Sequence, residues 1–395
     1  MDAGARRRTE IRPHGAGNRR HGPITSPPMS DSQSAGIFAR QQIRQLVDEG
    51  SLRAEVPIEE AQLQPASLDL RLGTRCHRVR TGFLPEKCTV QERLDELTLF
   101  TFDLTEGAIL ERGHCYVIPL LEHTRLPADV LAQSNPKSST GRLDIFTRLL
   151  ADRTDRFETL PAGYEGPLYL EVLPRSFSIR LQTGLCLNQL RFLRGKPELS
   201  REELVAVHRE TPLLFDDRGH PIAGEQAIQE DGLTMGVALA SDEEIGDVIG
   251  YRARRYTDVL DMTLIGAHDP MEFFEPIPAP KDGRFIVEPE EFYIFASKER
   301  VRVPKELAAV MLPYDVGIGE LRTNYAGFFD NGFGEGSGCR AVLEVRPHDV
   351  PFLVEDGQAF FRLQFYHTLT VPDRSYGEGG SHYQGQALKL AKHFR

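Results

Sequence analysis

The sequence contains no run of eighteen apolar residues, which excludes a membrane-spanning helix. Its first 28 residues have almost no apolar content and no hydrophobic stretch of the kind a secretory signal carries. Cysteine is scarce: Cys76, Cys88, Cys115, Cys186 and Cys339 are odd in number, scattered, and never in C-x-x-C spacing. A reduced, cytoplasmic protein without zinc is the expectation. Positive charge is also short, with 47 Lys and Arg against 58 Asp and Glu for a net charge of −11. Residues 1–28 hold six Arg against Asp2 and Glu10, and removing that +4 leaves −15 on the rest. Such a balance argues against a nucleic-acid partner but permits a small cationic pocket for one nucleotide.

What is present divides the chain. Its 395 residues can hold two domains, each large enough for its own core. Residues 1–36 read as a disordered tail, or as an extension upstream of Met29, which could itself begin a chain. The segment 37–50 has helical apolar spacing and ends at Gly50. In 64–73 (QPASLDLRLG) Leu68, Leu70 and Leu72 alternate with polar residues, which predicts a half-buried strand. From there to Phe192, short apolar runs are broken by Gly and Pro about every ten residues, the pattern of an all-β sandwich or jelly roll. Charged residues dominate 196–230, a linker in which Arg201 to His208 suits a short helix. Alternation resumes from 231 to 370, and 371–395 is a tail whose stretch 375–386 is glycine-rich and suits either a flexible end or a flap that closes over a ligand.

Residues 37–195 and 231–370 read as two copies of one domain. LYLEVLPRSFSIRLQTGLCLNQLRF (168–192) matches AVLEVRPHDVPFLVEDGQAFFRLQF (341–365) without a gap at an offset of 173, pairing Glu171 with Glu344, Gly184 with Gly357 and Phe192 with Phe365. Upstream, 110–130 matches 287–307 at an offset of 177, pairing Tyr116 with Tyr293 and Pro127 with Pro304. A single repetition of this length is a duplicated domain and not a solenoid.

The chemistry-bearing stretch of the first copy is NPKSSTGR. Lys137, Ser138, Ser139, Gly141 and Arg142 combine two cations, two hydroxyls and a flexible backbone position, the inventory that holds a polyphosphate. Glu171 and Glu344 each interrupt an apolar strand. A lone carboxylate there is more often solvated or paired than catalytic, so neither proves a site. His208-Arg209-Glu210 has the H-x-E spacing of zinc deaminases, but the partnering C-x-x-C is missing.

QPASLDLRLG (64–73), PKSSTGRL (136–143), YAGFFDNGFG (325–334), VLE (342–344) and YGEGGSHYQGQ (376–386) together resemble the dCTP deaminase family of the dUTPase-like superfamily, in its long, duplicated form. The resemblance implies two tandem dUTPase-like distorted jelly-roll (β-clip) domains with a few short helices, assembling as a homotrimer with sites between neighbouring copies. It implies metal-free hydrolysis of dCTP to dUTP and ammonia, with Mg2+ carried on the triphosphate. Lys137, Ser138, Ser139 and Arg142 then contact phosphates, Ser138 and Arg142 also order the attacking water, and Asp330 meets the deoxyribose with Ala326 and Leu343 beside it. Glu344, or its repeat partner Glu171, shuttles protons. Tyr376, His382, Tyr383 and Gln386 close over the nucleotide. Copy one has Pro161 where the family's hairpin has Asp, and copy two lacks the paired serines in 313–322. The resemblance therefore points to one composite site, joining 137–142 to Asp330, Leu343 and Glu344 and leaving Glu171 a structural residue. A dUTP diphosphatase, a bifunctional deaminase, and a nucleotide-binding regulator without activity are the alternatives.

Overall fold

The computed structural model describes residues 35–223, 228–229, 232–313, 321–323, 326–347, 349–378, 383, 385 and 387–395. The readings on the N-terminal tail, on most of 313–322, and on His382 and Gln386 lie outside the described residues. Strands dominate, and the architecture is all-β with short helices. Among the described residues no helix is long and apolar enough to cross a membrane.

Among the described residues, each half carries a five-stranded and a six-stranded sheet. In the first half, Arg75–Val79, Cys115–Arg125, Glu165–Pro174 and Ile145–Ala151 lie side by side in that order. The second half repeats the order with Val248–Ala253, Tyr293–Val301, Cys339–Pro347 and Leu321–Thr323. Opposite them, Cys186–Arg194 pairs with Val130–Pro136, and its counterpart Ala359–His367 with Leu307–Pro313. The repeat in sequence is thus a repeat in strand order.

The helix expected in 37–50 spans Arg40–Asp48, burying Ile43 and Leu46, and Gly50 takes the left-handed conformation that ends it. A second helix, Val90–Leu97, is passed over by the strand-and-turn reading; Thr89 and Glu92 form its capping box, and Val90, Leu94 and Leu97 are its buried face. The linker holds the helix Arg201–Glu210, in which the His208 ring contacts the Ile222 carbonyl and accepts from the Leu213 N–H, a structural pairing. The strand Leu68–Arg71 departs from expectation, because all four residues are buried. Its polar face meets charges and not water: Arg71 bonds Glu122, and Asp69 pairs with Lys137.

The two halves share packing. Phe273, Phe274, Ile294, Val342, Leu390 and Phe394 of the second half belong to the same apolar cluster as the first half's core. A small sheet also crosses between them, with Ile179–Leu181 parallel to Leu260–Asp261. Two buried ion pairs join the halves, Arg191 to Asp330 at 3.0 Å and Arg346 to Asp144. Because an unpartnered buried charge is costly, neither half keeps its interior satisfied alone.

Candidate functional site

A cavity of about 560 Å³ opens where the halves meet. From the first half, Lys137, Ser138, Ser139, Arg142 and Gln189 line it; from the second, Ala326, Phe328, Asp330, Val342, Glu344 and Tyr376 do. The loop is one turn of helix, Ser138–Gly141, fixed to the neighbouring strand because the Lys137 N–H and the Thr140 hydroxyl both donate to the Leu187 carbonyl. Lys137 pairs with Asp69, which outweighs the effect of burial and holds the ammonium pKa above its ordinary value. Arg142 is buried, donates to the Lys389 carbonyl at 2.7 Å, and lies 4.0 Å over the Tyr383 ring. Its Nε has no protein partner among the described residues, a donor left for water or ligand.

Glu344 comes from the strand Cys339–Pro347 and is 2 % exposed. Its Oε2 accepts from the Ala326 N–H at 3.0 Å. On its other side stands Gly141: a Cβ there would lie 2.5 Å from Oε2, so only glycine lets the 138–141 loop approach this closely. Two residues along the strand, on the same face, Arg346 grips Asp144 just past the loop. The carboxylate and the loop are therefore held in one register across the two halves.

Asp330 follows the short strand Phe328–Phe329 and is 8 % exposed. Burial pushes its carboxyl pKa up, and the Arg191 guanidinium opposes that rise. Arg191 itself stacks 4.0 Å over Phe328. Asn331 donates through its side chain to the Lys305 carbonyl, while its backbone carbonyl accepts the Tyr376 N–H at 2.8 Å. The hairpin thus sets the start of the C-terminal segment, with the Tyr376 ring 5.5 Å from Phe333.

Leu343 and Glu171 lie elsewhere. The period-two strand turns Leu343 into the second half's core, and its neighbours Val342 and Glu344 take the cavity wall. Glu171 lies outside the cavity lining, bonded by Arg148 at 2.9 and 2.6 Å, and 2 % exposed. A Cβ on Gly82 would lie 2.6 Å from its Oε2, so the turn before the helix Val90–Leu97 seals it over.

Sequence reasoning missed several lining residues, among them Gln64, Arg374 and Lys392, and missed Arg191 behind Asp330. Asp69 sits inside the QPASLDLRLG motif, and an acidic residue between Leu68 and Leu70 was the available signal. Lys392 had none, since it falls in an end segment whose fold is set by distant partners.

Two family models match the chain: the 2'-deoxycytidine 5'-triphosphate deaminase N-terminal domain over residues 34–196 and the C-terminal domain over 200–394. A dUMP-forming dCTP deaminase of Nanoarchaeum equitans is 30% identical over 175 residues, covering 40% of this chain and 83% of that relative. The dCTP deaminase of Natronomonas pharaonis is 30% identical over 172 residues, 42% of this chain and 84% of the relative. The crystal structure of 2'-deoxycytidine 5'-triphosphate deaminase from Agrobacterium tumefaciens is 44% identical, with a TM-score of 0.80 over 86% of this chain and all of that one. Matched by both domain models in order, the chain belongs to the dCTP deaminase family of enzymes, in its two-domain form.

Proposed function

We propose that this dCTP deaminase converts dCTP to dUTP and ammonia at one composite site, with Glu344 as the proton shuttle. The observation that carries the reading is the contact of Glu344 with Gly141, which joins the second half's carboxylate to the first half's phosphate loop in one cavity. Each half is read as the distorted jelly roll that the family implies.

In the reaction a water oxygen bonds to cytosine C4 and the C4–N4 bond breaks. Glu344 takes the water's proton, and protons returned to the ring nitrogen and to the departing amine release ammonia. Its partner Ala326 N–H fixes the carboxylate's direction. Ser138, Ser139, Arg142 and Lys137 suit the phosphates, with magnesium arriving as part of the substrate. The lining supplies carboxylates, hydroxyls and cations, a set matched to acid–base work. Asp330 faces the sugar in this reading, with Arg191 holding its position.

The test is incubation of the pure protein with dCTP and magnesium, with products separated by chromatography. dUTP is expected; dUMP would make it a dUMP-forming enzyme, as the Nanoarchaeum relative is named, and no turnover would leave a binding protein. Treatment with a strong chelator followed by magnesium alone should restore full activity, whereas a requirement for added zinc would overturn the metal-free reading.

A further inference from the structure

The end of the chain reaches into the cavity. Residues 387–395 are pinned to 266–268, because the Gly266 N–H donates to the Lys392 carbonyl at 3.0 Å and the Ala267 and His268 N–H groups donate to the His393 carbonyl. Phe394 closes the anchor within an aromatic group, 5.7 Å from Phe273 and 5.5 Å from Phe274. Between these anchors the Lys392 side chain lines the cavity, and the Lys392 N–H donates to the Tyr383 hydroxyl, whose ring carries Arg142. The other two cations of the loop are engaged, Lys137 with Asp69 and Arg142 with Tyr383 and the Lys389 carbonyl. The Asp69 carboxylate also acts on Lys392, but its ion pair among the described residues is with Lys137. Burial, then the charge of Lys137, lowers its pKa, as befits an ammonium held near other cations.

We propose that the Lys392 ammonium binds the triphosphate of the substrate, supplied to the first half's phosphate loop by the last residues of the second. The proposal rests on the dCTP reading above. A polyphosphate brings several negative charges to a pocket whose other lysine is already neutralised by Asp69, and a poised third cation meets that charge. It would also make the site prefer a triphosphate over a monophosphate, since the contact lies at the phosphate end, beside Lys137.

The probe is inorganic triphosphate, titrated calorimetrically into the wild type and into Lys392→Met and Lys392→Arg, with dCTP kinetics alongside. A lost charge-assisted contact of about 1.4 kcal/mol is tenfold. Lys392→Met should bind the probe about tenfold more weakly and raise KM for dCTP similarly, with kcat changed less than about threefold. Lys392→Arg should recover most of both, and weak binding of dCMP should be nearly unchanged by either. Unchanged triphosphate affinity in a folded Lys392→Met, or an equal loss with dCMP, would overturn the assignment. If Lys392→Met does not fold, Lys392→Gln carries the same comparison. A wild type that binds triphosphate through Lys392 but leaves dCTP intact would refute the activity and keep the ligand.

Discussion

Glu344 and Glu171 occupy equivalent positions of the repeat, and their surroundings separate them. Glu344 faces a cavity and accepts an amide hydrogen, whereas Glu171 is neutralised by Arg148 beneath the turn at Gly82. Glu344→Gln keeps the shape and an acceptor but cannot carry a proton, so deamination should fall at least about a hundredfold with nucleotide binding largely kept. Glu171→Gln should retain most activity and lose stability instead, because it removes the charge that the half-buried Arg148 guanidinium pairs with. A dead Glu171→Gln beside an active Glu344→Gln would move the chemistry to the other half. Beside Glu171 stands Glu158, which burial pushes up to about 7 despite the hydrogen bonds from Ser134 and the Leu149 N–H. Its folded pKa exceeds the ordinary value of 4.5, so the folded state holds a proton that the unfolded state releases between those values. Stability from this group is present at acidic pH and is lost as pH rises through about 7. Glu158→Gln should therefore raise the melting temperature by a few degrees at pH 8 and have little effect at pH 5, as read by calorimetry at both.

At the scale of elements, what was legible in the sequence had local causes. The helix Arg40–Asp48 announced itself through apolar spacing and Gly50, and the duplicated strands through an ungapped match carrying Glu171 and Glu344. The half-buried reading of 68–71 failed because alternation reports polarity, and Asp69 and Arg71 satisfy theirs with buried charges. The composite site was legible only through motifs that each copy had kept or lost. Its assembly by Arg191 and Arg346 was not, since these pairs span 139 and 202 residues. The final segment is the clearest case: the glycine-rich stretch 375–386 reads as a flexible end or a flap, and the residues that follow it, for which the sequence offered no reading of their own, pack on the first half's core cluster. Phe394→Ala tests whether this anchor serves the site. Removing a buried aromatic near a terminus frees the segment more than it unfolds the core, so the melting temperature should drop by only a few degrees. KM for dCTP should rise at least about tenfold as Tyr383 and Lys392 lose their support. A large drop in melting temperature with KM unchanged would make the segment a structural brace alone.

At the scale of the molecule, a ring of three copies would contain three loop-to-hairpin contacts, and each chain supplies two copies. Three chains of 44.4 kDa could then close two stacked rings at about 133 kDa, the assembly expected from the family resemblance. The site argues for a different dependence of activity on that assembly. Lys137, Ser139, Arg142, Asp330 and Glu344 all line one cavity within a single chain. The shared apolar cluster and the buried Arg191–Asp330 and Arg346–Asp144 pairs hold its two walls together without help from a neighbour. Association between chains can then be lost while the loop still faces its hairpin. Light scattering and turnover measured on the same dilution series should show specific activity per chain constant as mass falls from three chains toward one. A protein that stays monomeric at every concentration and is fully active would refute the ring and leave the composite site intact. Activity that falls in step with dissociation would mean that a neighbouring chain contributes to the cavity, and the intramolecular site would have to be abandoned.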